Sequence, residues 1–223
     1  MNMIEREQIL KKFRDLCIKK GHIEEGVINK IETETCNYLE NNPDDLEIWY
    51  KIVLLEFHDF HDEYSAIKFL NIIWNRFKKI ESLILIAFIQ AEFLGGIDDG
   101  IYSSLDKYSS DNSDIMACIY FLKGMFDELG KPKLAIENYR KAISLKNNFV
   151  HAYFYLGHVL EREKDILNAK IEYEKAVSAV KQSLDNSYYD YYDIHNYFDE
   201  YIYGTNPSSV KFEILKDYSN KFN

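Results

Sequence analysis

The sequence predicts an all-α fold: a right-handed solenoid of antiparallel helical hairpins, about twelve helices in one domain over residues 1–223. Three observations carry this expectation. Only three prolines (Pro43, Pro132, Pro207) and nine glycines punctuate the chain, too few for a many-turned β fold. Apolar residues recur at helical spacing along most of its length. One stretch of sequence also repeats itself 34 residues later.

The elements follow in order. Residues 3–19 and 24–41 carry helical apolar rows (Ile4, Ile9, Phe13, Leu16; Val27, Ile28, Ile31, Leu39). Gly21 separates them and Pro43 closes the second, so 1–46 is predicted to be a helical hairpin. Residues 47–59 pair with 63–77 through Trp49, Val53 and Phe57, then Ala66 and Leu70. Residues 81–94 pair with 97–109 through Ile84, Ala87 and Ala91, then Gly100 and Ser104, with a turn at Gly95-Gly96. Next, Ile119–Leu145 matches Tyr153–Ala179. Setting Ala135 on Ala169 aligns Leu122 with Leu156, Phe126 with Leu160, Tyr139 with Tyr173 and Ala142 with Ala176. The phase reaches upstream, since Ala66 lies 69 residues before Ala135 and Gly100 lies 34 after Ala66. Beyond residue 182, Tyr188–Tyr203 and Ser208–Phe222 read as two capping helices over 183–223, split by Gly204 and Pro207.

This 34-residue helix–turn–helix period resembles the tetratricopeptide repeat. Tyr153-x2-Leu156-Gly157-x2-Leu160 is similar to that family's aromatic-x2-Leu-Gly-x2-Tyr first helix, and Ala169-x3-Tyr173 to its Ala-x3-Phe second helix. The small Gly157 and Ala169 allow two helices to approach, and Tyr173 fills the space to the next unit. The preceding unit keeps Gly130 at its turn and Ala135-x3-Tyr139, but has Lys123 where the glycine is expected. The family's closing proline is replaced by Asn147 and Lys181. The resemblance rests on motifs over 116–182, on phase over 47–110, and on position alone at the ends, giving four units over 47–182.

Catalytic signatures are missing from the sequence. There is no GxGxxG, Walker loop, GxSxG or kinase motif. Cys17, Cys36 and Cys118 are odd in number and widely spaced, which argues against a disulfide framework or zinc site and fits a reducing compartment. The N-terminal residues lack the apolar core of a signal peptide, and the run Leu83–Ile89 is too short to span a bilayer. A cytoplasmic protein is therefore expected. His58-x2-His61, flanked by Asp59, Asp62 and Glu63, could place imidazoles and carboxylates together, but it lacks metalloprotease spacing and sits at a helix end. A polar turn is expected there. His195 and Asp199 read as a surface contact. The pairs Asp44-Asp45 and Asp98-Asp99 are placed to cap helices. The expectation is a protein with no catalytic residues, no metal and no cofactor.

Charge narrows the partner. The formal net charge is −10 and no basic stripe is present, which argues against nucleic acid and against an anionic membrane surface and favours a basic protein or peptide. The resemblance implies a concave groove lined by the first helix of each pair. Projection gives Lys51, Leu55 and His58; Leu85, Ile89 and Glu92; Tyr120, Gly124, Asp127 and Glu128; and Phe154, His158 and Glu161 as lining candidates. Lys51 is the one cation in this set, so the groove departs from the basic clamp that holds C-terminal carboxylates in some relatives; a ligand with Lys or Arg among apolar side chains fits better. Two readings follow: a non-catalytic protein-interaction module, or a bacterial immunity protein that neutralises a basic toxin enzyme by direct binding. The helix Tyr188–Tyr203 adds a question of its own. One face (Tyr191, Ile194, Tyr197, Phe198, Tyr201, Ile202) is expected to dock on the second helix of the last repeat. The other, with Tyr188, Tyr189, Tyr192 and Tyr203, is either covered by the final helix through Val210, Phe212, Ile214 and Leu215 or open as an acid-rimmed interface.

Overall fold

A computed structural model describes residues 3–18, 24–181 and 192–204. The described residues form eleven α-helices and two π-helical turns and no strand, an all-α helical-repeat solenoid fold. The chain divides into two compact units, Met1–Leu83 with Ser187–Tyr197 and Ile84–Asn186 with Phe198–Asn223. Of the predicted helix Tyr188–Tyr203, residues 188–191 lie outside the described residues, as does the whole of the predicted helix Ser208–Phe222.

The first unit contains α1 (Met3–Ile18), α2 (Glu25–Asn41), α3 (Leu46–Leu55), α4 (Glu63–Phe77), the start of α5 (Ile80–Phe93) and the short α11 (Ile194–Tyr197). α1 buries Ile9, Phe13 and Leu16 of the expected row and packs on α2, which buries Ile28, Ile31 and Leu39, while Ile4, in the first turn of α1, is exposed and is not part of the core. One carboxylate ties three helices. Asp45 is buried before α3; its side chain accepts from the Ile48 N–H at 3.4 Å, from Arg6 of α1 at 2.8 Å and from the Tyr38 hydroxyl of α2 at 2.8 Å. A carboxylate with two oxygens can satisfy all three donors. Burial, then the bond to Asp45, pushes the Tyr38 hydroxyl up to about 12.

α3 ends in a π-helical turn, Glu56–Phe60, and His61 then adopts a left-handed φ of 52° that lets the chain reverse into α4. Asp62 caps α4 by accepting from the Ser65 N–H at 3.0 Å. The π turn carries Glu56 inward, where it is only 4% exposed. Burial, followed by the negative charges of Glu32 and Asp62, pushes its carboxyl up to about 7.

The second unit contains the rest of α5, α6 (Asp99–Asp106), α7 (Ser113–Asp127), α8 (Pro132–Leu145), α9 (Val150–Arg162), α10 (Ile166–Lys181) and the π turn Phe198–Ile202. α7 packs on α8, α8 on α9, and α9 on α10. Ala135, Tyr139 and Ala142 are fully buried on α8, as are Ala169, Tyr173 and Ala176 on α10. A Cβ on Gly157 would lie 2.6 Å from the Tyr173 ring, and a Cβ on Gly124 would lie 2.5 Å from the Tyr139 ring. Gly124 therefore plays the part of Gly157, not Lys123. The first helices are offset by 33 residues and the second by 34, because the upstream glycine and tyrosine are one residue closer in sequence. Lys123 instead reaches Asp106 at 2.5 Å.

The acidic pairs divide their work. Asp98 accepts from the Gly100 N–H at 2.8 Å and the Ile101 N–H at 3.3 Å, capping α6. Asp44 instead pairs with Arg76 of α4 at 2.9 Å, leaving the cap of α3 to Asp45.

Two outcomes follow. Gly157→Ala and Gly124→Ala push a methyl into a tyrosine ring and are each expected to lower stability by about 1–3 kcal/mol in urea denaturation. Combining Gly157→Ala with Tyr173→Leu should lose less than the sum of the two, since the small ring-free side chain relieves the clash. Glu56 titrates higher folded than unfolded, so the folded state holds its proton more tightly. Its stabilising effect is full below the ordinary carboxyl value and is lost as pH rises through about 7. Glu56→Gln should flatten the fall in melting temperature between pH 5 and 8 and stabilise the protein by about 2–3 kcal/mol above pH 8. An unchanged pH profile in the variant would refute the assignment.

Candidate protein-binding surface

The first helices of the repeats carry the candidate surface, and packing sorts its predicted residues. Leu55, Leu85 and Ile89 are at most 1% exposed and belong to the core between helices. α5 is apolar on all sides from Leu83 to Ile89, and a helix of that kind has no open face to give. Lys51 and Asp127 are buried too. Asp127 accepts from Asn138 at 3.2 Å and Lys131 at 3.4 Å, and so pins the α7–α8 turn. Gly124 is occupied by the Tyr139 ring.

Of the aromatic candidates, Tyr120 is half-buried, with Lys123 and Lys141 at 5.6 and 5.9 Å from its ring centre. Phe154 and His158 meet edge-on at 4.6 Å, and both lie beside Tyr173. In the first unit, His58 lies edge-on to Tyr197 at 5.8 Å; burial, then the charge of His61, pushes its imidazole down to about 4. Among the described residues no group of three or more His, Cys, Asp and Glu could hold a metal ion.

The remaining acids form a graded series at the C-terminal ends of α5, α7 and α9. Glu161 accepts from the Tyr173 hydroxyl at 3.1 Å and Glu128 from the Tyr139 hydroxyl at 3.0 Å. Glu92 accepts from the Tyr155 hydroxyl. Arg162 pairs with Glu128 at 3.0 Å and also donates to its backbone carbonyl at 2.7 Å. Burial pushes the Glu128 carboxyl up, against the pull of Tyr139 and Arg162. Glu92, Met125, Glu128, Leu129, Tyr155 and Arg162 contribute to the lining of a cleft of about 380 Å³. Beside it Leu129 is 90% exposed.

Tyr155 and Arg162 did not follow from projecting the helices. The tyrosine–glutamate pairs had a signal in the sequence: Ala-x3-Tyr stands where a phenylalanine is expected, and a buried phenol needs a hydrogen-bond partner.

The tyrosine-rich segment differs from expectation. Tyr188 and Tyr189 lie outside the described residues. Tyr192 is buried, donates to Asp59 at 2.7 Å and meets Phe13 edge-on at 5.0 Å, so its ring is packing and not an open contact face. Within the second unit, Tyr203, expected on the same face as Tyr192, is buried beside Phe149 at the start of α9 and is not an open contact face. The reason is chemical: its hydroxyl finds a thiol and a backbone carbonyl in α7.

Comparison with known proteins agrees with this geometry. A family described as TPR repeat matches residues 125–163, and one described as Tetratricopeptide repeat matches residues 150–179. No curated protein sequence matches the chain. Among solved structures, MamA (residues 41 to the end) from Desulfovibrio magneticus RS-1 is similar, with a TM-score of 0.58 and 15% identity over 82% of this chain and 96% of that one. A second MamA structure has a TM-score of 0.57 and 21% identity with the same coverage, and a third has 0.53 and 20% over 73% of this chain and 98% of that one. These likenesses speak for the fold. Repeats of this kind form extended protein-interaction surfaces. With motif, packing and matched families in agreement, residues 125–179 of this chain are tetratricopeptide repeats.

Proposed function

We propose that this chain is a non-catalytic protein-interaction module that binds a basic, partly apolar segment of another protein at the cleft beside α5, α7 and α9. The observation that carries this reading is the acid series Glu92, Glu128 and Glu161, one carboxylate per first helix, each oriented by a tyrosine hydroxyl. Each carboxylate has two oxygens that accept more than one donor, so a Lys or Arg can bind an acid already ordered by its tyrosine. Only Arg162 offsets charge among the named cleft residues, and Met125 and Leu129 offer apolar contact. The overall charge of −10 draws basic partners and repels nucleic acid and anionic lipid, so the proposed partner is a protein. Among the described residues no helix is long and apolar enough to cross a membrane.

The same charge also suits a narrower role, an immunity protein neutralising a basic toxin enzyme, and one experiment separates the two. The full chain serves as bait in lysate of its native host, and captured proteins are identified by mass spectrometry. One stoichiometric basic enzyme supports the inhibitor; several basic clients support the general module; acidic clients overturn both. Binding of the captured protein should weaken at least tenfold between 50 and 500 mM salt, at roughly the ionic strengths where surface charge is screened. Glu92→Gln with Glu128→Gln should weaken it about tenfold while the helical circular dichroism signal is kept. Binding that ignores both salt and these substitutions would place the partner elsewhere.

A further inference from the structure

The start of α9 lacks the side-chain cap that α6 and α7 carry. α7 begins with a side-chain cap, Asn112, which accepts from the Asp114 and Ile115 N–H groups at 3.0 and 3.2 Å. α9 begins at Phe149, whose side chain can cap nothing. This helix start is buried, and a distant part of the chain supplies its acceptors. The His151 N–H donates to the Tyr203 carbonyl at 3.2 Å, and His151 Nδ1 lies 2.9 Å from the Ile202 carbonyl, the distance of an imidazole N–H donating to it.

Each residue of Ile202-Tyr203-Gly204 has a distinct seat. Ile202 is fully buried. The Tyr203 ring meets Phe149 edge-on at 4.9 Å and lies 4.2 Å under the Lys146 ammonium, which Asp114 holds at 3.0 Å. The Tyr203 hydroxyl accepts from the Cys118 thiol at 3.2 Å and donates to the Asp114 carbonyl at 3.3 Å. Gly204 has a left-handed φ of 68°, and a Cβ there would lie 2.4 Å from the His151 ring. Backbone carbonyls are caught at a helix start, one ring is held by a cation, an aromatic and two polar groups, and the next residue must lack a side chain. This is how a peptide is recognised, with main-chain bonds giving affinity and one socket giving specificity.

We propose that the N-terminal ends of α7 and α9 form a receptor for an apolar–tyrosine–glycine segment, filled in this chain by its own Ile202-Tyr203-Gly204, which a partner segment of the same chemistry displaces. The inference rests on reading the first helices as a binding surface, and adds to it a second subsite, one that takes an uncharged segment. Tethering gives the internal segment a high effective concentration, so a free peptide competes poorly until the internal one is weakened.

The test uses the full chain and a labelled peptide of its own residues Phe198–Gly204, followed by fluorescence anisotropy. Gly204→Val leaves every socket residue in place but drives a branched side chain into His151. The variant should bind the peptide at least tenfold more tightly than the natural chain. A peptide with alanine at the Tyr203 position should not bind, and adding Lys146→Ala to the variant should weaken binding severalfold. Equal binding by variant and natural chain, or none by either, overturns the proposal. So does loss of the helical signal in Gly204→Val, which would mark the segment as an integral part of the fold. The acid-face reading stands apart from these outcomes: salt-sensitive partner capture lost on Glu92→Gln with Glu128→Gln tests that face, while peptide exchange tests this one.

Discussion

The repeat region depends on a ring laid against bare backbone. At Gly124 and Gly157 a tyrosine from the following helix sits where any side chain would have stood. The contact sets how closely the helices of each hairpin approach, and close approach lets Ala135 and Ala169 vanish into the interface. It also delivers a phenol to the C-terminal end of the first helix, where Glu128 and Glu161 receive its proton in a hydrogen bond. Packing and surface chemistry are thus one arrangement. The tyrosine that closes the hairpin also aims the acid.

The first unit is organised around charge. Asp45 gathers a guanidinium, a phenol and a helix-start N–H from three helices. Glu56, carried inward by a π turn, has acids as neighbours and keeps its proton to about neutral pH. Removing a partner from Asp45 would strand a buried charge, whereas protonating Glu56 relieves one. The company each keeps therefore decides its part: Asp45 joins three helices through its donors, and Glu56 holds a proton among other acids.

Much of the fold was legible in the sequence because helices announce themselves by period. The row Ile9, Phe13, Leu16 and the pair Ala66, Leu70 are buried where spacing put them. The second helices were read in register, since Ala135 and Tyr139 repeat faithfully as Ala169 and Tyr173. The first helices were read one residue out of step, because a constant period cannot see that Gly124 and Tyr139 stand one residue closer than Gly157 and Tyr173. Projection onto an ideal cylinder also could not say that Leu55, Leu85 and Ile89 face neighbouring helices on what looked like an outer side; that depends on what packs there. The acids of the candidate surface were found, but the tyrosines that orient them and Arg162 come from other helices, and contacts of that kind lie beyond any local pattern. The hydrogen bond from Tyr192 to Asp59 is the extreme case, joining residues 133 apart in sequence, and the seating of Tyr203 on Cys118 joins residues 85 apart.

The one-residue difference between the Gly124–Tyr139 and Gly157–Tyr173 separations bears on how this repeat can vary. One residue along an α-helix rotates a side chain by about 100°. A deletion inside α7 would have swung Glu128 away from Tyr139 and turned its apolar face outward. A residue lost beyond Glu128, where the end of α7 runs into the link, leaves both helices in phase with their neighbours, and the glycine–tyrosine contact re-forms. The hairpin links can therefore lengthen or shorten over generations without disturbing the lattice of rings and backbones, so inherited length changes will gather there, and a unit transplanted between arrays must be matched at its glycine and tyrosine, not by counting residues.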